Sequence, residues 1–473
     1  MAATSEGGAR ASGASRDDGS RLRRGGGSTE AVANPRGGRL KALVAGGGIG
    51  GLVAALALHR AGVAVDVFEA AREVRALGVG INLQPSSVLV LRELGLQPAL
   101  AGSGIETAEL IYVNKFGQRI WQEPRGLAAG YLVPQYSIHR GELHMILYRA
   151  ALERLGADAI HTGHVLTGFE QDERGVTAGF TDRDTGAALS TFRGDFLVAA
   201  DGIHSAARRL FYPHEGLPKF SGRMLWRACT EAEPYLTGRS MAWAGHADQK
   251  FVAYPISADA ARRGRSLVNW IAELRVRAID DPDQTPPSSD WNRKVDKSLF
   301  SGPFQAWNFG WLDVPDLIAR ADAVYEFPMV DRDPVPRWTH GRVTLLGDAA
   351  HPMYPIGSNG ASQAILDARE LAEQLLAGDS VAAALQRYDD VRRPVTAAIV
   401  HANRGQGPDY VMQLAEQRAP HGFRHIHEVI PARELEQIAS AYKQTAGFDR
   451  DSVNARFQAL AAHGAAGAGA AVP

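Results

Sequence analysis

Two short apolar runs, residues 43–45 and 63–68, bracket Gly46-Gly47-Gly48-Ile49-Gly50-Gly51 and an Ala/Leu-rich stretch that runs to Arg60 and stops at Gly62. The order reads as strand, glycine turn, helix and a second strand closing on Glu69, so residues 41–69 predict one βαβ unit. Residues 70–84 carry Gly78 and Gly80 and are too broken for a regular element. Apolar spacing predicts helices over 86–94 and 142–155, the latter led by Ile138-His139-Arg140-Gly141. Alternation predicts a hairpin over 111–123 and a strand pair, 161–172 with 175–181. A buried strand, 196–200, ends in Asp201-Gly202 and enters a short helix, 205–210. Alternating, aromatic-rich runs from 222 to about 276 predict an antiparallel sheet, followed by a Pro/Asp-rich connection at 280–289. A last buried strand, 342–346, ends in Gly347-Asp348-Ala349-Ala350-His351-Pro352. The loop MYPIGSNG then leads to a helix over 361–376 and a longer one, 381–403, that the pattern interrupts at Arg393-Pro394.

The spacing Gly46-x-Gly48-x-x-Gly51 has a physical reading at each glycine. Gly46 permits the tight turn, Gly48 lets backbone approach a pyrophosphate, and Gly51 lets the helix pack close to the sheet. Phosphates then sit on free N–H groups at the helix start, around Ile49, and Glu69 is placed to accept from a ribose hydroxyl. Glycine turns of this spacing also occur with no ligand. The strand before, the helix after and the acid at the end of the second strand favour a nucleotide.

Lys plus Arg number 51 and Asp plus Glu 52, so no surplus positive charge recruits nucleic acid or an anionic membrane. The single cysteine, Cys229, has no intrachain partner for a disulfide, which suits a reducing cytoplasm; its plain reading is a small buried hydrophobe. No apolar run nears the roughly 20 residues of a membrane helix. The expectation is a soluble cytoplasmic protein with no membrane and no nucleic-acid partner. Residues 1–39 read as a disordered leader, since Arg23-Arg24 is followed by GGGSTEAVANP rather than the apolar core of an export signal. Residues 462–473 read as an unstructured tail. His421, His425 and His427 lack a matching cysteine or carboxylate pattern, so no metal is expected.

Three strand-to-loop corners of one design thus lie far apart in sequence: the glycine fingerprint, Asp201-Gly202 and Gly347-Asp348. Over about residues 41–403 this combination resembles the group A flavoprotein monooxygenases, the aromatic hydroxylases of the p-hydroxybenzoate hydroxylase fold. The stretches GVGINLQPSSVLVLRELGL, PQYSIHRGELHMIL, ADGIHSAAR, YEFPMVDRDPVPRW and LLGDAAHPMYPIGSNGASQAILDA are similar to the phenazine-modifying, 5-methylphenazine-1-carboxylate 1-monooxygenase branch. The resemblance implies an α/β fold: a Rossmann-like FAD-binding domain interleaved with a mixed or antiparallel substrate sheet, and C-terminal helices. The implied division is a leader at 1–39, FAD-binding parts at 40–110, 136–215 and 336–405, substrate parts at 111–135 and 216–335, and a helical segment with a tail at 406–473.

By that resemblance Gly46, Gly48, Ile49, Gly51 and Glu69 hold the ADP half of FAD, with Arg140 on the pyrophosphate or ribityl side. Asp348 meets the ribityl chain, and Gly357, Asn359 and Gly360 line the pyrimidine edge of the flavin. Asp201-Gly202 belongs to a motif touching both FAD and the nicotinamide cosubstrate, with Arg208 a weaker candidate, and Pro355 leaves room for O2. NADH or NADPH reduces FAD, O2 adds to give a flavin C4a-hydroperoxide, and its distal oxygen attacks an electron-rich aromatic carboxylic acid. On the substrate side the candidates are Tyr254, also the catalytic candidate, then Trp226, Arg227 and Asn82. A packed sheet tyrosine is the alternative for Tyr254, and a cofactor phosphate or solvent is the alternative partner for Arg227. His351 is expected in the loop scaffold. An amino- or hydroxybenzoate is the alternative substrate, and an NAD-dependent dehydrogenase or a flavin sensor the remoter ones. Nothing in the sequence sets the oligomeric state.

Overall fold

The computed structural model describes residues 33–34, 38–75, 78–278, 281, 283, 285–287, 293–378 and 380–469. The expected leader lies outside the described residues except for Ala33–Asn34 and Gly38–Arg39, which pair antiparallel. Much of the 280–289 connection also lies outside them.

Six strands form the first sheet, in the order Ile160–Thr162, Ala64–Glu69, Lys41–Ala45, Phe196–Ala199, Val343–Leu345, Thr339–His340. The first five run parallel and the last antiparallel. The central strands are apolar at nearly every position because both faces are covered, one by helices and the other by a three-stranded antiparallel sheet, His164–Asp172, Gly175–Asp182 and Phe192–Gly194. The fingerprint helix Ile49–Arg60 packs on Gly360–Leu376 and on Arg140–Leu155, and its Leu52, Leu56 and Leu58 enter one continuous core with Leu43, Leu197 and Leu345. The topology brings the carboxyl ends of Lys41–Ala45, Phe196–Ala199 and Val343–Leu345 side by side, and with them the three corners.

The second sheet has eight strands, in the order Arg293–Val295, Val324–Asp331, Lys219–Ala232, Ser266–Arg275, Gln249–Pro255, Ser240–His246, Glu109–Val113, Arg119–Pro124. It is antiparallel except where Ser240–His246 runs parallel to Glu109–Val113. A three-stranded sheet, Gly80–Leu83, Tyr136–His139 and Ile105–Glu106, bridges the two.

Four sequence expectations change. Residues 80–83 form a strand where the glycines predicted none, because pairing with Tyr136–His139 supplies the ladder. The 161–172 strand divides at Gly163, whose φ of +75° breaks it: Ile160–Thr162 edges the parallel sheet and His164–Asp172 joins another. Helix Val381–Arg404 continues through Pro394. Arg392 and Ile399 are buried on either side, so packing holds both halves against the loss of one N–H. The helix Arg450–Gly469 extends into the expected tail, since alanine runs favour helix despite scattered glycines; residues 470–473 lie outside the described residues.

Candidate active site

At the fingerprint, Gly46 adopts φ +109°, and a side chain there would press into the Ala200 carbonyl. A Cβ on Gly51 would press into the Gly46 carbonyl. These two glycines therefore let turn, helix and neighbouring strand come together. Gly48 differs: a Cβ there would meet nothing within 4 Å, because that position faces an open cleft. The Glu69 carboxylate accepts from the N–H groups of Gly47 (2.8 Å) and Ala71 (2.7 Å), which fixes it beside the turn. From helix Arg140–Leu155, His144 Nε2 lies 2.6 Å from the Gly47 carbonyl, a contact no motif announced.

The cleft runs from Gly48, Ile49 and Gly50 past Ala200 and Gly202 to the Leu346-Gly347-Asp348 corner. Arg140 opens its helix and extends into the cleft. Pro355, Asn359 and Gly360 form the far wall, where helix Gly360–Leu376 starts with free N–H groups. Asp348 lines the cleft with its side chain open to it, and the protein packed around the corner raises its carboxyl pKa by desolvation against the opposing pull of His351 and Arg140. Asn359 is 1 % exposed and its Nδ2 has no protein partner. An elongated polar cleft, a glycine with open space where a side chain would stand, and a buried unpartnered donor at a helix start fit a dinucleotide with an isoalloxazine end.

The eight-stranded sheet roofs this cleft. On Lys219–Ala232, alternation sends Trp226 and Arg227 to opposite faces. Arg227 lines the cleft, donates from Nη2 to the Gly80 carbonyl (3.0 Å), and makes no ion pair among the described residues. Tyr254 lines it too; burial pushes the phenol up to about 12, with Arg227 pulling the other way. Asn82 donates to Ser358 Oγ (3.3 Å) and accepts from Ser137 Oγ (2.6 Å), tying the bridging sheet to the flavin-side loop.

Three expected residues stand elsewhere. Trp226 does not reach the cleft: its ring stacks on Phe300 at 5.0 Å and its Nε1 donates to Glu326 Oε2, as the pleat requires. The Asp201 carboxylate turns from the cleft to accept from Ala206 N–H (2.7 Å) at a helix start, and leaves Gly202 facing the cleft. Gly357 lines a second, smaller cavity, where a side chain would meet the Tyr442 hydroxyl. Arg208, the weaker candidate, is buried and holds the carbonyls of Ala349 (3.1 Å) and Ala350 (2.7 Å), so one motif steadies another.

The sequence reading missed the pillar under the Gly347-Asp348 corner. Asp367 accepts from His351 Nε2 (2.5 Å), Arg392 Nε (2.8 Å) and Gly347 N–H (3.2 Å). An acid sixteen residues after His351, on the buried face of the next helix, was the available signal. Tyr442 was also missed: its hydroxyl donates to the Ile356 carbonyl (3.2 Å) and to Asn403 Oδ1 (2.9 Å).

The sequence profile of the FAD binding domain matches residues 39–286 and 319–403. The chain is 49% identical over 366 residues, 76% of its length and 88% of the relative's, to the phenazine 1,6-dicarboxylic acid hydroxylase PhzS of Lysobacter antibioticus. It is 33% identical over 79% of its length to the 3-amino-4-hydroxybenzoate 2-monooxygenase PtnB3 of Streptomyces platensis, covering 89% of that protein. Among solved structures, Klebsiella pneumoniae HpxO complexed with FAD and uric acid is similar at TM-score 0.68 and 25% identity, over 87% of this chain and 97% of that one. A salicylate hydroxylase substrate complex shares the fold at TM-score 0.64 and 24% identity, over 86% of this chain and 98% of that one.

Fold, cleft and relatives define a flavin-dependent aromatic-ring monooxygenase that uses FAD with NAD(P)H and O2. The chain belongs to the FAD binding domain family. Among the described residues no helix is long and apolar enough to cross a membrane.

Proposed function

We propose that this chain hydroxylates a fused aromatic carboxylic acid of the phenazine carboxylate class in secondary metabolism, with or without loss of the carboxylate. The observation that carries the reading is the 49% identity across 88% of a hydroxylase named for phenazine 1,6-dicarboxylic acid. A second reading, an amino- or hydroxybenzoate, is favoured by the 33% identity to a 3-amino-4-hydroxybenzoate 2-monooxygenase. A cytoplasmic location, where NAD(P)H is regenerated, suits a chain with one cysteine.

In this reading residues 40–110, 136–215 and 336–405 bind FAD, and 111–135 and 216–335 face the substrate. Gly48 and the N–H groups from Ile49 onward take the pyrophosphate, with Gly46 and Gly51 shaping the turn and Glu69 beside the adenosine ribose. Arg140 faces the phosphates and ribityl chain from one side and Asp348 from the other. Asn359 and Gly360, with the N-terminus of their helix, meet the pyrimidine edge and favour negative charge there; Gly357 shapes that loop from behind. Gly202, set by Asp201, borders the nicotinamide approach, and Pro355 leaves space for O2. Bound FAD supplies the redox chemistry, taking a hydride from NAD(P)H and activating O2. The sheet contributes what the ring needs: Tyr254 remains a protonated hydrogen-bond donor, Arg227 a cation, and Asn82 a fixed polar edge.

The test is the absorbance of the purified protein, then NAD(P)H oxidation against phenazine carboxylates and amino- or hydroxybenzoates, with H2O2 and product quantified. A yellow protein whose oxidation rises with one phenazine acid, giving a product heavier by one oxygen or by that less CO2, is expected. Stimulation by a benzoate alone selects the second reading. A colourless protein that FAD does not reconstitute overturns both.

A further inference from the structure

The loop that carries Pro355 contains two consecutive left-handed residues, Gly357 (φ +71°) and the non-glycine Ser358 (φ +51°), a conformation that residues with a side chain adopt only at a cost. Contacts from outside must therefore hold it. Its carbonyls show which they are: Asn403 Nδ2 donates to Tyr354 (3.0 Å), the Tyr442 hydroxyl to Ile356 (3.2 Å) and Gln84 Nε2 to Gly357 (3.5 Å), while the Pro355 carbonyl accepts from the Ser358 N–H (3.2 Å) within the loop. The carbonyls on either side of Pro355 thus rest on Asn403 and Tyr442.

These two side chains are themselves joined, because the Tyr442 hydroxyl also reaches Asn403 Oδ1 at 2.9 Å and shares its one hydrogen between the two acceptors. Both residues are buried, where leaving either group unpaired is costly. The phenol ring occupies a slot between two glycines of positive φ. A Cβ on Gly357 would press into the Tyr442 hydroxyl, and one on Gly407 would lie 3.0 Å from ring atom Cε2. Only glycine at both positions admits the ring.

The helix that bears Tyr442, Ala432–Thr445, is anchored in turn: Lys443 Nζ lies 2.6 Å from Glu123 Oε2, and Arg125 pairs with the other oxygen of that carboxylate. Gln363, on the helix that starts at Gly360, donates to the Ala446 carbonyl (2.9 Å). Met353 packs against the cluster of Ile399, Tyr442, Ala446 and Phe448 and also lines the cleft, as Pro355 and Asn359 do. Tyr442 itself does not line the cleft. Asn403 is the last residue matched by the family profile, and Tyr442 lies 39 positions beyond it.

We infer that Tyr442 is a positioning residue for the flavin-side loop: bonded to Asn403 and wedged between Gly357 and Gly407, it holds the carbonyls that flank Pro355 and so sets where Pro355 and Asn359 stand against bound FAD. The part these two play beside the flavin rests on the proposed function.

The test compares Tyr442→Phe, which keeps a ring in the slot and removes only the hydroxyl, with Tyr131→Phe. Tyr131 is buried and donates to the Phe448 carbonyl (2.6 Å), so its variant also removes a bond to the C-terminal segment but none to the loop. In the apoprotein, amide hydrogen exchange over 353–360 should quicken about five- to tenfold in Tyr442→Phe, as loss of one buried hydrogen bond requires, and keep the wild-type rate in Tyr131→Phe. Kd for FAD should rise about threefold or more in Tyr442→Phe alone. In the loaded enzyme the share of NAD(P)H oxidation that yields hydroxylated product rather than H2O2 should fall, with KM for the aromatic acid within about twofold. Wild-type exchange in Tyr442→Phe, or an equal effect in Tyr131→Phe, overturns the inference while the proposed function stands. Quickened exchange with both FAD affinity and product share unchanged overturns it as well. If no aromatic acid stimulates the wild type, the proposed function falls, and exchange with FAD affinity still decides the role of Tyr442.

Discussion

The Gly80 N–H donates to Asn269 Oδ1 at 2.6 Å, and a Cβ on Gly80 would lie 2.7 Å from both the Asn269 and Tyr254 side chains. Arg227 holds the carbonyl of the same residue, so the sheet grips both of its polar backbone groups. This one contact sets the height of strand Gly80–Leu83 above the roof, and with it the position of Asn82 against the flavin-side loop. Gly80→Ala should lift the strand, cost about 1–3 kcal/mol from overpacking, and weaken FAD and substrate binding together. Denaturant titration with flavin-release fluorescence checks this; unchanged stability with full flavin retention would contradict the grip.

The fingerprint glycines should separate in their effects. Gly51→Ala drives a methyl into the Gly46 carbonyl, so the expected outcome is failure to fold or a large fall in Tm. Gly48→Ala meets open space, so the apoprotein should keep its Tm while FAD affinity drops by about tenfold or more. Differential scanning of both apoproteins and flavin titration of Gly48→Ala measure the contrast.

Asp367 should govern acid stability at the Gly347-Asp348 corner. Burial alone would raise its pKa, but His351 and Arg392 outweigh that and lower it from the ordinary 3.8. A lowered folded-state pKa means the stabilisation is fully present above the unfolded value near 3.8 and is lost as pH falls through the lower folded value. Asp367→Asn strands Arg392 in the interior, and about 3–5 kcal/mol should be lost at neutral pH. In urea titrations from pH 7 to 3, the variant should also lack this residue's share of the acid loss.

Tyr254 should not act as a base. With its phenol pushed up to about 12, it stays protonated across the working range. An alkaline limb in kcat/KM between pH 7 and 10 should therefore persist in Tyr254→Phe, with KM raised by the lost hydrogen bond. Disappearance of the limb in that variant would assign the titration to Tyr254.

The sequence by itself determined the scaffold and the corners that border the cleft. The βαβ unit, the glycine spacing and the three corners are local in sequence, and each has a backbone reason that leaves a readable trace. Gly48, Arg140, Asp348, Pro355 and Asn359 accordingly line the cleft. What only tertiary structure decided is which neighbour faces inward and what stands behind each corner. Trp226 and Arg227 look alike as candidates until strand register assigns one to the core and the other to the cleft. Asp201 reads as a ligand until a helix start claims its carboxylate. Asp367, Asn269 and the Arg125–Glu123–Lys443 cluster bring together residues 16 to 320 positions apart. No local pattern encodes such pairs, because their free energy comes from desolvation and charge balance in the folded interior.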